Sequence, residues 1–194
     1  MKRLMSILLI LGSCSLFFCG EKKESIVHIE GLTRTGNLFL EERINQLKEL
    51  AKVSTIIQAI EISNKKNMAF TQEKIDSLDQ EWMQHNSEEN PLIRELLSND
   101  CAVVLKQFKT QHPEILEIFV MDNRGLIVGE SNITSDYLQA DEAKWSEIFG
   151  KDAIWHGGLE FDESTETYGI QISVPVQNIG VICSTVNLKN IKEN

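Results

Sequence analysis

Residues 118–145 constrain the fold more than any other stretch of the chain. They run Ile-Phe-Val-Met, then Asp-Asn-Arg-Gly, then Leu-Ile-Val-Gly-Glu, then a polar segment that carries Tyr137, Leu138 and Trp145. Apolar and β-branched residues on either side of turn residues read as a hairpin, with Gly125 able to take the positive φ of a tight turn. A strand, a turn, a second strand and a polar-aromatic tail in one run suit a small sheet whose edge is followed by a pocket wall.

Upstream of that run the apolar rhythm is helical. Leu40, Ile44, Leu47 and Ala51, continued by Val53, Ile57 and Ile60, predict one long helix over residues 38–62. Ile75, Leu78 and Trp82 predict a second over 72–85, with Thr71 as its cap. Asn90-Pro91 opens a third, striped by Ile93, Leu97, Cys101, Val104 and Phe108, which His112-Pro113 ends. The bland reading of these stripes, core packing, is the one adopted.

Downstream, residues 137–149 are expected to be helical in part and closed by Gly150. Strands follow over about 153–156, 168–176 and 180–188, where Pro175 implies an edge, a bulge or a strand end. Helices grouped before an antiparallel meander of about five strands make an α+β domain.

The amino terminus addresses the compartment. Lys2 and Arg3 precede an apolar run from Leu4 to Phe18, too short for a spanning helix and shaped like a secretory signal. Its end resembles a bacterial lipoprotein signal. Cys19 is the preferred lipidation site, because the polar tether starts directly after it; Cys14, preceded by Leu11-Gly12-Ser13, is the alternative. The expected division is a signal peptide over residues 1–19, a tether over 20–36 and one domain over 37–194. The protein is then extracytoplasmic and lipid-anchored to a bacterial membrane.

With 19 basic against 29 acidic residues, the net charge is −10. That balance disfavours nucleic acid, whose phosphates require clustered Lys and Arg, and leaves any membrane grip to the lipid. Cys101 and Cys183, predicted on a helix and a strand, read as small core residues, with a disulfide as the alternative. No spacing of Cys or His suggests a metal site, no cofactor is expected, and no nucleophile stands beside a base in an enzyme pattern.

Three segments resemble Cache-type sensor domains, a PAS-like extracytoplasmic family. They are the hairpin Phe119 to Val128; Thr134-Ser135-Asp136-Tyr137-Leu138-Gln139-Ala140-Asp141-Glu142 with Trp145 beyond; and Phe161-Asp162-Glu163-Ser164 leading to Ile170 to Val176 and Gly180-Val181-Ile182. The second is the most specific. This chain has Lys144-Trp145 where the family often has an aromatic pair, and a contracted turn at Asn178-Ile179-Gly180. The resemblance implies long N-terminal helices packed on a five-stranded antiparallel PAS-like sheet that binds a small molecule.

The chemistry of that stretch suits a polar or amine-bearing ligand. Tyr137, Trp145, Trp155 and Tyr168 can form walls; Asp136, Asp141, Asp162 and Glu163 can supply charge; Gln139 and His156 complete the candidate set. A ligand carboxylate would have Lys144, Lys151 or His156 to turn to, with Arg124 expected in solvent. Duller readings stand beside these: Trp145 as core, Asp136 and Thr134 as caps, Asp141-Glu142 as a helix-start pair. With no output module read in the sequence, any signal is expected to pass through a membrane signalling partner, or the domain acts as a binding or scavenging protein. The rival readings are a surface interaction or adhesion lipoprotein and an unrecognised hydrolase.

Overall fold

The computed structural model describes residues 28–162 and 167–188. The signal, both candidate lipidation cysteines and Glu163 lie outside the described residues. Six helices come first to last as α1 (Arg34–Leu50), α2 (Ser54–Asn67), α3 (Gln72–Gln84), α4 (Pro91–Ser98), α5 (Asp100–Gln111) and α6 (Ala143–Ser146). The strands are β1 (Ile115–Met121), β2 (Ile127–Glu130), β3 (Trp155–His156), β4 (Glu160–Asp162), β5 (Thr167–Val176) and β6 (Gly180–Asn187). They form one antiparallel sheet of order β2-β1-β6-β5-β3, with β4 also on β5. The α+β class is therefore observed.

Three differences from the sequence reading have physical causes. The predicted helix over 38–62 is two helices. Ile56 and Ile60 would lie about half a turn from Leu40, Ile44 and Leu47 on one continuous helix. The break at Ala51-Lys52-Val53 brings all five into the same core. The predicted third helix is also two, because Asn99 ends α4 and caps α5. Its side chain accepts from Ala102 N at 2.9 Å and donates to Val128 O at 2.8 Å, competing with the helix backbone for its own groups. The last is β4, which had no counterpart in the expected five strands. With β3 it forms one interrupted edge along β5, pairing Trp155 with Ser173, and Phe161 with Tyr168.

Residues just before α1 also pack on the core. Ile29 is buried in the core, its N–H donating to Asn37 Oδ1 at 2.8 Å, and Thr33 caps α1. The α3 boundaries and the Thr71 cap follow expectation. Pro175 pairs with Val181 near the end of β5, beyond the last β3 pair, so its missing N–H is not needed there.

Two glycines are dictated by contact. Gly125 has φ of 73° and lies so close to Ala140 that a Cβ would come within 2.7 Å of its backbone. A Cβ on Gly180 would meet Met121 O at 2.3 Å. The first lets residues 137–139 fold back on the hairpin, where Ile127 N bonds Tyr137 O at 3.1 Å and Gln139 N bonds Gly125 O at 2.8 Å. This stretch is consequently extended, and only Ala143–Ser146 is helical.

Strand alternation sorts the sheet into two faces. Ile118, Val120, Ile170, Ile172, Val174, Ile182 and Val186 pack against α1, α2 and α5. Phe119, Met121, Val181 and Cys183 point the other way, into a cluster with Trp82, Ile93, Leu97, Tyr137 and Ile148, bordered by Trp145, Phe149 and Trp155. Cys101 and Cys183 are both free and buried, one in each cluster. Burial alone pushes the Cys101 thiol up to about 12.

Candidate ligand site

The face opposite α1, α2 and α5 carries a row that crosses five strands. Glu130 on β2 stands beside Phe119 on β1, which neighbours Cys183 on β6, Ser173 on β5 and Trp155 on β3. The next row down the same face is Glu117, Thr185 and Gln171. Strands with this much Ile and Val would ordinarily present apolar side chains here; instead the face holds two carboxyls and two hydroxyls.

Over this face lies α6. Lys144 is buried, its ammonium 5.6 Å from the Phe119 ring centre and 2.9 Å from Glu142. Phe119 therefore supplies a cation-π floor for the lysine.

Many polar groups around Lys144 are left unpaired. Glu130 accepts from Thr134 N at 3.0 Å through Oε2, but its Oε1 is buried without a hydrogen-bond partner among the described residues. The same holds for Ser173 Oγ, Thr185 Oγ1 and Gln139 Oε1; the Ser173 hydroxyl has the Cys183 thiol as a weak polar neighbour. A buried polar atom without a partner costs about 1–3 kcal/mol, so four on one side of a sheet call for a compensating function.

Electrostatics point the same way. Burial, aided by Glu117, raises the Glu130 carboxyl to about 7. Burial also raises Glu117, an effect that Lys144 and Lys109 oppose. Asp136 is raised first by burial and then by Glu142 and Asp79. The buried Lys144 ammonium thus acts on Glu117, Asp136 and Glu142, while Lys109 also opposes the shift of Glu117 and Lys106 that of Glu130, so carboxyls outnumber ammonium groups around this face.

The sequence-predicted residues divide around this centre. Trp155 is in the row, half-buried. Asp136 and Gln139 join its acidic border, the Gln139 amide donating to Asp136 O at 3.0 Å and to the Asp136 carboxylate. Trp145 is pinned beside it, stacked on Phe149 at 4.8 Å with its indole N–H donating to Asp122 O at 3.1 Å. Tyr137 turns away, stacked on Trp82 at 5.6 Å and lining a separate cavity; Asp79 Oδ1 accepts the N–H of Tyr137 at 2.9 Å and of Leu138 at 2.8 Å.

Four residues stand apart. Asp141 is exposed. His156 alternates to the face opposite Trp155, its Nδ1 3.1 Å from Gly157 O. Tyr168 is 52 % exposed and tilts against Phe161 at 5.1 Å on the sheet edge. Asp162 pairs with Thr167 in β4–β5, its side chain outside the description. Arg124, expected in solvent, donates to Asn67 O at 3.1 Å and Phe70 O at 2.7 Å and so caps the end of α2.

Sequence reasoning missed Glu117, Glu130, Ser173 and Thr185, and weighed Lys144 only as a spare cation. The signal was present: Glu117 and Glu130 are carboxylates inside otherwise apolar strands, Glu130 paired with Phe119 and Glu117 two residues before Phe119 on the same face.

Asp122 ties the site to the helices. Its Oδ1 accepts from the N–H groups of Arg124 at 2.8 Å and Leu126 at 3.0 Å. Its Oδ2 accepts from Ser63 Oγ at 3.0 Å and Asn67 Nδ2 at 2.9 Å, both on α2. Among the described residues no group of three or more His, Cys, Asp or Glu is placed to hold a metal, and no helix is long and apolar enough to cross a membrane.

Several solved sensory domains are similar to this chain at low identity. The sensory domain of the Campylobacter jejuni chemoreceptor Tlp3 is 15 % identical, with 81 % of this chain and 65 % of that one covered at a TM-score of 0.39. The Vibrio cholerae (V. cholerae) histidine kinase DctB sensor domain is 15 % identical, covering 79 % and 58 % at 0.34. The ligand-binding domain of the Pseudomonas aeruginosa PAO1 amino acid chemoreceptor PctC, in complex with GABA, is 13 % identical, covering 76 % and 62 % at 0.35. This chain spans just under two thirds of the length of these domains. No protein-family model matches it, and no curated protein does.

Proposed function

We propose that this protein is an extracytoplasmic, lipid-anchored sensory protein that binds a small amine-bearing molecule on the Lys144 side of its sheet. The observation that carries the proposal is the excess of carboxyls there: Glu117, Asp136 and Glu142 act on the buried Lys144, and Glu130, with Lys106 as its cationic neighbour, stands in the same sheet face, beside four polar atoms without a hydrogen bond. A ligand ammonium supplies the missing charge and the missing donors, and Phe119 and Trp155 offer it aromatic faces. If the ligand also carries a carboxylate, Lys144 exchanges Glu142 for it, which makes an amino-acid-like molecule the best fit. Asp136, Gln139, Trp145 and Trp155 border this ligand; Asp141, His156 and Tyr168 have no part in it.

The anchor in this reading is a lipid on Cys19, or on Cys14, and the readout passes through a membrane signalling partner. Mass spectrometry of the membrane-extracted protein, with Cys19→Ser and Cys14→Ser variants, decides the anchor.

Equilibrium thermal unfolding against a panel of amines, amino acids and carboxylates tests the ligand. A true ligand at a hundred times its Kd adds about 2.7 kcal/mol. The gain should be larger at pH 8 than at pH 5.5, since protonating Glu130 removes part of the attraction. A panel without any shift removes the sensor reading. It would favour a surface interaction protein, for which the exposed Phe161–Tyr168 pair on the sheet edge is the specific support.

A further inference from the structure

A cavity of about 250 Å³ opens between α2, α4, α5 and β2, away from Lys144. Ile62, Leu92, Leu96, Ile127 and Val128 give it apolar walls, and Tyr137 closes one side. Lys66 and Glu95, paired at 3.7 Å and both 58 % exposed, link α2 to α4 at its outer edge.

Asn67 makes this space more than a packing gap. It lines the cavity, is only 2 % exposed, and its Oδ1 makes no hydrogen bond of normal geometry among the described residues, although the Tyr137 side chain on the same wall is a polar neighbour of its amide. The orientation of the amide is fixed, because Nδ2 donates to both Ser63 Oγ at 3.0 Å and Asp122 Oδ2 at 2.9 Å. Asp122 is fully buried, so its charge polarises the Asn67 amide through that bond and strengthens the acceptor at the far end. The volume is several times that of one water, about 30 Å³ in the liquid, and its walls mix aliphatic side chains with Thr55, Gln58, Ser63, Asn99 and Asp100.

We propose that this cavity is a second binding site, for a compact molecule with an N–H or O–H donor at one end and a short aliphatic body. The donor head bonds Asn67 Oδ1, the body lies on Leu92, Leu96 and Val128, and the size falls just below that of sites for drug-sized ligands. The site touches the hairpin through Ile127 and Val128, so an occupant stiffens the join between α2, α4 and the edge strand.

Methyl-resolved NMR titration of the intact chain with cyclopentanol, cyclopentylamine and cyclopentyl methyl ether tests it. Saturable shifts of the Ile62, Leu96, Ile127 and Val128 methyls are expected with at least one of the two donors. The ether, which cannot donate, should bind about tenfold or more weakly. Ala59→Phe or Leu92→Trp, which fill the cavity from α2 and from its half-buried α4 wall, should abolish the shifts, while Lys144→Met should leave them intact. The proposal is overturned if neither donor gives a saturable shift, if the ether matches the donors, or if shifts persist in a folded filled variant. Two filling positions on different helices keep the test open should one variant fail to fold.

Discussion

The two faces of the sheet are made by alternate residues of the same strands, yet they obey different rules. The face on α1, α2 and α5 is nearly all Ile, Val and Leu, and its one orphaned strand hydroxyl is Ser184. The face under α6 has Glu130 and Ser173 in register with Phe119 and Cys183, and Glu117 paired with Thr185 in the next row. One face is assembled for burial, at about 25 cal/mol per Å² of apolar surface. The other gives up part of that gain to hold charge out of water, which is how a fold separates what keeps it together from what it is for.

The comparison can be broken most forcefully from the helix side. Ile172→Ala should cost about 2–5 kcal/mol in chemical denaturation and leave ligand affinity of the folded fraction unchanged; altered affinity would mean the faces are not separable.

Glu130 gives the next effect. Its carboxyl is raised from 4.5 to about 7 by burial and the Glu117 charge, so between those values the folded state holds a proton that the unfolded state has released. Stability therefore falls as pH rises through that window, by up to about 3 kcal/mol, and Glu117 acts in the same direction. Denaturation midpoints measured from pH 4.5 to 8 should show this decline, and Glu130→Gln should flatten it.

Smaller is the effect of Lys144→Met, expected to weaken amino acids by about tenfold, 1.4 kcal/mol, while simple amines bind as well or better. Calorimetry that found both classes equally affected would remove Lys144 as the carboxylate partner. Least of all, Ser173→Ala and Thr185→Val should change the stability of the free protein by less than about 1 kcal/mol, since Ser173 has only the weak Cys183 thiol contact to lose and Thr185 Oγ1 makes no hydrogen bond among the described residues. A larger loss in thermal unfolding would show that these hydroxyls are paired.

The sequence made the α+β class, the α3 boundaries and the Asp122–Gly125 turn legible because each rests on local spacing. It also contained the α1–α2 break as a phase slip between Leu47 and Ile56, which a reading of hydrophobicity without phase passed over. The site was legible only in part. Asp136, Gln139, Trp145 and Trp155 lie on the stretch whose composition drew notice, but their counterparts across the sheet are set by register between strands far apart in sequence. Tyr137 shows the limit from the other side: its neighbours Asp136 and Leu138 gave no hint that Gly125 and Ala140 would press the chain extended and turn the ring toward Trp82.

Asp122 acts as a fulcrum. Its carbonyl receives the Trp145 indole, one residue from Lys144, and its carboxylate grips Ser63 and Asn67 near the end of α2. Any guest that tugs α6 must drag α2 along or snap a buried bond. Asp122, together with Asn64 on Asn123 and Arg124 on the end of α2, thus ties the helix on one side of the sheet to the segment that carries Lys144 on the other.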